Sequence, residues 1–196
     1  MPARLGENSL MRIVGGRHRG RRLASPKSLS IRPTSDRARE SLFNIIAQKN
    51  YGSLPKGKTV LDVFAGTGAL GFEALSRGAR EVHFMERSGS AAQIIQQTAC
   101  HLDETSKVKL LICDAIQLGL ATQSFDLVLM DAPYMSGQSE PCLQALAEGG
   151  WLGEKCICCV ELAKKESFQA SNGFTILDQR NYGAASIVIL RWNGVI

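Results

Sequence analysis

The run Asp62-Val63-Phe64-Ala65-Gly66-Thr67-Gly68-Ala69-Leu70-Gly71 reads as the end of an apolar strand, a glycine loop and the opening of a helix. Its glycines have the G-x-G-x-x-G spacing. Glycine lets the backbone turn tightly and approach a ligand, and the first free N–H groups of the helix attract negative charge. Glu86 follows about 20 positions on, at the end of EVHFM, where a carboxylate can accept both hydroxyls of a ribose. A turn that served packing alone would need no such acid. Together they predict a cofactor containing adenosine, without choosing among nicotinamide, flavin and S-adenosylmethionine.

Outward from this loop the pattern of strand, loop and helix repeats. TVLDVF precedes the glycines, EVHFM leads into a helix running to about His101, and VKLLIC and FDLVLMD follow. Alternating elements with buried apolar strands predict an α/β fold, a parallel sheet with helices on both faces. After a helix between Pro141 and Leu146 come KCICCVEL, GFTILDQR and ASIVILRW. The last two are close enough to form an antiparallel hairpin at the sheet edge. Upstream, Pro33, Thr34 and Ser35 precede apolar residues at helical spacing, which predicts a capped amphipathic helix over residues 35–49. MRIVGGRHRGRRLA, residues 11–24, reads as a small glycine-jointed hairpin or arm, and residues 1–10 as a flexible extension.

A chain of 196 residues suits one domain with an appendage. The division expected is a basic arm and helix over 11–50 and a cofactor-binding domain over 51–196. Charge follows the same division: residues 1–49 carry 11 basic and 3 acidic side chains, whereas the remainder is mildly acidic. Arg12, Arg17, Arg19, Arg21 and Arg22 have no acidic neighbour in sequence, and with Arg32 they are the expected contacts to a polyanion. No apolar run approaches the ~18 residues of a membrane span, and no secretory stretch opens the chain, so a soluble, cytoplasmic protein is expected. Cys156, Cys158 and Cys159 lie in an apolar run and read as core, while His18, His83 and His101 are scattered. No metal is expected.

Two features favour S-adenosylmethionine. Asp62 is expected at the mouth of the loop, where it would repel a pyrophosphate and welcome an ammonium. Asp131-Ala132-Pro133-Tyr134 follows a strand directly, at the carboxyl edge where open α/β sheets bind ligands. The lone pair of an exocyclic amine on a nucleobase is delocalised into the ring, so methylation needs it turned toward the methyl group. Two acceptors can do that, the Asp131 carboxylate and the carbonyl of Ala132, while Pro133 stiffens the turn and Tyr134 stacks on the base. Catalysis would then be alignment plus electrostatic stabilisation, without a covalent intermediate.

Over residues 11–191 the chain resembles the bacterial 16S rRNA guanine-N2 methyltransferases of the RsmD type, within the Rossmann-like S-adenosylmethionine-dependent methyltransferases. RIVGGRHRGRRL and RPTSDRARESLFNII are the specific segments; DVFAGTGALG, Glu86 and DAPY occur more widely. The resemblance implies a mostly parallel seven-stranded class I sheet, with Asp62, Gly66, Gly68 and Glu86 around the methionine and ribose. It also implies Asp114 and Ala115 at the adenine and residues 131–134 on the target guanine; Phe64 and Arg87, beside these positions, complete the expected cofactor contacts. The implied partner is 16S ribosomal RNA, within a small ribosomal subunit or its assembly intermediate, met by a monomer. Two residues depart from the pattern: Ala132 stands where a second proline is usual, and Ser88 where an acidic residue is common.

Other users of such a tetrapeptide methylate adenine-N6 or cytosine-N4 in nucleic acid, or a glutamine side chain. Only a short loop fits between Tyr134 and the next helix, too little for a DNA-reading insertion, and glycine-jointed arginines suit irregular RNA. A catalytically weak RNA-binding assembly factor and a nicotinamide oxidoreductase are the readings from other classes.

Overall fold

The computed structural model describes residues 11–24 and 36–194. The expected extension over residues 1–10, Arg32 and the helix-opening Pro33, Thr34 and Ser35 lie outside them. Seven strands form one sheet: β1 (Thr59–Val63), β2 (Glu81–Met85), β3 (Val108–Leu111), β4 (Phe125–Asp131), β5 (Leu152–Ala163), β6 (Phe174–Tyr182) and β7 (Ala185–Trp192). Their order is β3-β2-β1-β4-β5-β7-β6. The first five pair in parallel, and β7 inserts antiparallel between β5 and the edge strand β6. The direction of winding reverses between β1 and β4, and a crevice opens at such a reversal beyond the carboxyl ends of the strands. The glycine loop and Asp131 both stand at this crevice.

Alternate strand residues serve opposite faces. Val60 packs in one core with Phe72 and Phe84, while Leu61 and Val63 pack in the other with Val128, Leu143 and Trp192. The helices are α1 (Asp36–Ile46), α2 (Ala69–Ser76), α3 (Gly89–His101) and α4 (Ser139–Glu148). Helix α1 ends short of the expected residue 49, because the chain doubles back and Leu54 N–H bonds the Ile46 carbonyl at 3.0 Å. Cys156, Cys158 and Cys159 are buried in β5, as their apolar setting predicts.

The arm is a hairpin, with Ile13 N–H on the Arg21 carbonyl at 3.0 Å and Gly20 N–H on the Ile13 carbonyl at 2.8 Å. It has no core of its own: Ile13 and Leu23 join α1 and the sheet in a single cluster. Two of its arginines, isolated from acids in sequence, find acids in space, and a third finds a backbone carbonyl. Arg12 pairs with Asp36 at 3.0 Å, Arg17 pairs with Glu104, and Arg21 donates to the His101 carbonyl at 3.0 Å. Arg19 and Arg22 make no ion pair among the described residues and are exposed. The hairpin tip docks on the far end of α2, where Arg17 N–H bonds the Ser76 carbonyl at 2.8 Å. Eight helical residues rise about 12 Å, so the tip stands that far from the glycine loop at the other end of α2.

Glu104 is the buried anchor of this docking, taking His18 at 2.6 Å and Lys107 at 3.1 Å besides Arg17. Burial pushes its carboxyl up, but the bonds from His18 and Lys107 and the charge of Arg17 outweigh it and hold the group below the usual range. A depressed folded value gives stability that is full above the unfolded value and lost as pH falls through the folded one. Protection of the Ile13 and Leu23 amides against exchange, taken relative to the intrinsic rate at each pH, should therefore fall as the solution is acidified through the carboxylate range. Glu104→Gln should raise exchange at neutral pH and remove that acid step; an unchanged profile would show that another group anchors the arm.

Candidate active site

The glycine loop owes its shape to three residues in left-handed backbone, Phe64 at φ +57°, Gly66 at φ +53° and Gly68 at φ +79°. A Cβ on Gly68 would stand 2.9 Å from both Phe72 and Phe84. Gly68 therefore lets α2 seat on β2, and it does not line the cleft. Gly66 does, and its N–H donates to Glu86 Oε2 at 2.9 Å. Glu86 Oε1 accepts from Ser88 N–H at 2.8 Å, so one carboxylate ties the ends of β1 and β2 together. Ser88 caps α3 through its hydroxyl, a task served where the resembling family often has an acid.

The cleft between these loops and the end of β4 holds about 570 Å³, within the ~300–1,000 Å³ of small-molecule sites. Phe64, Glu86, Arg87, Asp114 and Ala115 line it on one side, and residues 131–134 on the other. Asp114 accepts the Ile116 N–H at 3.1 Å, which turns the chain after β3. Met85, Cys113 and Gln138 also line the wall and had no sequence signal of their own. Burial, and then the charge of Asp114, push the Cys113 thiol up, which keeps it protonated and a poor nucleophile.

Asp62 departs from expectation. It is 2% exposed, stands behind the loop, and accepts the Gly71 N–H on Oδ2 at 2.8 Å. Burial drives its carboxyl well above the ordinary aspartate value, with the charges of Asp131 and Glu86 adding to the shift. It is a brace for the start of α2, and no part of the cleft wall. The negative potential expected of it comes from three other acids. Glu86, Asp114 and Asp131 line the cleft with Arg87 as the one basic lining residue among those described, an environment hostile to a pyrophosphate and favourable to a sulfonium and an ammonium.

At the end of β4, Asp131 lies in register with Glu161 of β5. Tyr134 is 42% exposed, and its hydroxyl donates to Glu161 Oε1 at 2.8 Å. Met135 N–H donates to Glu166 Oε2 at 3.2 Å, which also accepts the Ala163 N–H. Glu161 is the residue that sequence reading passed over, although a carboxylate inside the apolar run of β5 was itself a signal.

A sheet of this order, with a glycine loop at β1, an acid at the end of β2 and an Asp-initiated turn at the end of β4, defines a Rossmann-like methyltransferase. The family described as Conserved hypothetical protein 95 matches residues 11–191, and the chain belongs to it. The ribosomal RNA small subunit methyltransferase D of Haemophilus influenzae is 32% identical over 180 residues, covering 90% of this chain and 91% of its own. The protein of that name from Escherichia coli is 34% identical over 152 residues, covering 77% and 74%. The solved structure of Escherichia coli yhhF superposes with a TM-score of 0.81 at 27% identity, covering 95% of this chain and 99% of its own.

Proposed function

We propose that the chain transfers a methyl group from S-adenosylmethionine to the exocyclic N2 amine of a guanine in 16S ribosomal RNA, within the small subunit or its assembly intermediate. The observation that carries the reading is the joining of Glu86, Asp114, Asp131 and the exposed ring of Tyr134 in one cleft. The names of the relatives supply ribosomal RNA. Guanine N2 rests on the resemblance of the sequence to guanine-N2 methyltransferases. Such an enzyme works where that RNA is assembled, in the cytoplasm, and this reading assigns it neither a metal nor a second subunit.

The residues fit the cofactor. Gly66 presents no side chain to the cleft, and each Glu86 oxygen keeps a lone pair for a ribose hydroxyl. When bound, S-adenosylmethionine supplies an electrophilic methyl group on sulfonium. The chain supplies the rest. The Asp131 carboxylate takes one amino hydrogen, the Ala132 carbonyl takes the other, and Tyr134 holds the base plane, so the nitrogen lone pair leaves conjugation and points at the methyl group. Positive charge develops on nitrogen beside Asp131, which also faces the proton to be lost.

Glu86→Ala should weaken S-adenosylmethionine binding by ~1–3 kcal/mol, since the ribose loses a charged acceptor, and should also loosen the loops by freeing the N–H groups of Gly66 and Ser88. Calorimetry checks the affinity, and an unchanged value would remove Glu86 from the site. The same titration separates the alternatives. NADH binding would favour an oxidoreductase, and tight S-adenosylhomocysteine binding without methyl transfer to any RNA would favour an assembly factor.

The arm enters as a remote contact. A substrate that reaches both the hairpin tip and the cleft spans at least about 12 Å, which suits a polymer. Arg17 and Arg21 already hold the arm, so Arg19→Gln with Arg22→Gln is the clean test of RNA binding by its free face. The pair should lower RNA affinity with cofactor affinity intact and flatten the salt slope by ~0.7 for each phosphate no longer neutralised. An unaltered slope would make these side chains solvated surface only.

A further inference from the structure

We propose that Glu161 is a positioning residue for the target base, acting through the ring of Tyr134; this rests on the nucleobase reading above. Three observations converge on it. Glu161 is 5% exposed at the carboxyl end of β5, in a strand otherwise apolar around it, a place where a carboxylate is costly unless it has a task. Its Oε1 accepts the Tyr134 hydroxyl at 2.8 Å, while the Tyr134 ring stays 42% exposed on the cleft. It also stands beside Asp131 in strand register, so one rigid strand pair sets both the acceptor and the ring.

The contact meets a specific need. A phenol ring on a turn can swing about two side-chain torsions, and a base stacked on a swinging ring presents its amine over a range of angles. Transfer demands one angle, because small misalignment costs rate steeply. The tetrapeptide has a single proline, Pro133, so no ring locks the φ of Ala132 itself. Glu161 fixes the tip of the ring from the sheet. Glu166, by holding Met135 N–H at 3.2 Å and Ala163 N–H at 3.2 Å, fixes the next peptide to the same strand end.

The chain has three tyrosines, Tyr51, Tyr134 and Tyr182, so protein labelled with 3-fluorotyrosine gives a short fluorine spectrum in which Tyr134→Phe identifies the Tyr134 line. In the unliganded protein, Glu161→Ala should move and sharpen that line toward free 3-fluorotyrosine, whereas Glu161→Gln, which keeps an acceptor oxygen, should leave it near its wild-type place. In single-turnover methyl transfer to RNA, Glu161→Ala and Tyr134→Phe should each slow the step by about tenfold, the double variant should be no slower than the worse single, and S-adenosylmethionine affinity should hold. Full activity of Tyr134→Phe beside a slow Glu161→Ala, multiplying effects in the double variant, or an unmoved fluorine line would each overturn the proposal. The fluorine line reports the contact whether or not RNA is methylated. Failure of the wild-type protein to methylate any RNA would therefore overturn the RNA reading, and the line would still decide whether Glu161 fixes the ring.

Discussion

Asp131→Ala is expected to slow single-turnover methyl transfer by about 10²–10³ while S-adenosylmethionine affinity hardly changes. Asp131 ends β4 on the cleft wall across from Glu86 and Asp114, and in the proposed reaction it takes the incoming amine while the ribose and adenine fall to the other side. Removing it takes away the charged acceptor when positive charge grows on nitrogen, and the loss resembles that of one oxyanion-hole donor, about 3–4 kcal/mol. Asp131→Asn still presents an oxygen and should fall between wild type and Ala. Saturating cofactor and RNA exclude binding and release from the comparison. A wild-type rate for Asp131→Ala would mean that the amine is held elsewhere.

The second large effect concerns stability. Glu73 of α2 is fully buried, accepts Val14 N–H at 2.8 Å and Arg77 Nε at 2.6 Å, and faces Arg39 Nε at 3.7 Å. Arg39 of α1 is equally buried and donates from Nη2 to the Arg12 carbonyl at 2.6 Å. One carboxylate thus joins the arm, α1 and α2. Glu73→Ala removes the buried carboxylate that Val14 N–H, Arg77 and Arg39 face and should cost about 3–5 kcal/mol, read as a lowered denaturant midpoint. Glu73→Gln keeps an oxygen for Val14 and should cost less. A change below about 1 kcal/mol for Glu73→Ala would show that Asp36, at 2.9 Å from Arg39, suffices to balance the charge.

What the sequence revealed and what it hid divide along physical lines. The sheet was legible because its central strands are short apolar runs alternating with helices, and the hairpin of β6 and β7 because the two runs lie close together. The lining of the cleft by Glu86, Asp114 and residues 131–134 follows from one rule, that side chains at the carboxyl ends of neighbouring parallel strands converge. The buried place of Asp62 was not legible because a motif position says which loop a residue is near, and not which face of the strand its side chain takes. Gly68 carries a constraint the motif does not spell out, the close packing of Phe72 and Phe84. The arm hid more. Charge counted along the chain could not show that Glu104 and Asp36, distant in sequence, take up Arg17 and Arg12. Glu161 was hidden for the same reason, since its partner Tyr134 lies on another strand end.

The most direct measurement offers S-adenosylmethionine labelled in the methyl group to unmethylated small-subunit RNA and to assembled small subunits, and identifies the modified nucleoside by mass spectrometry. Label is expected in N2-methylguanosine with wild-type protein and should be nearly lost with Asp131→Ala. Label in N6-methyladenosine or N4-methylcytidine would contradict the assigned base, and no label in either RNA would contradict the reaction.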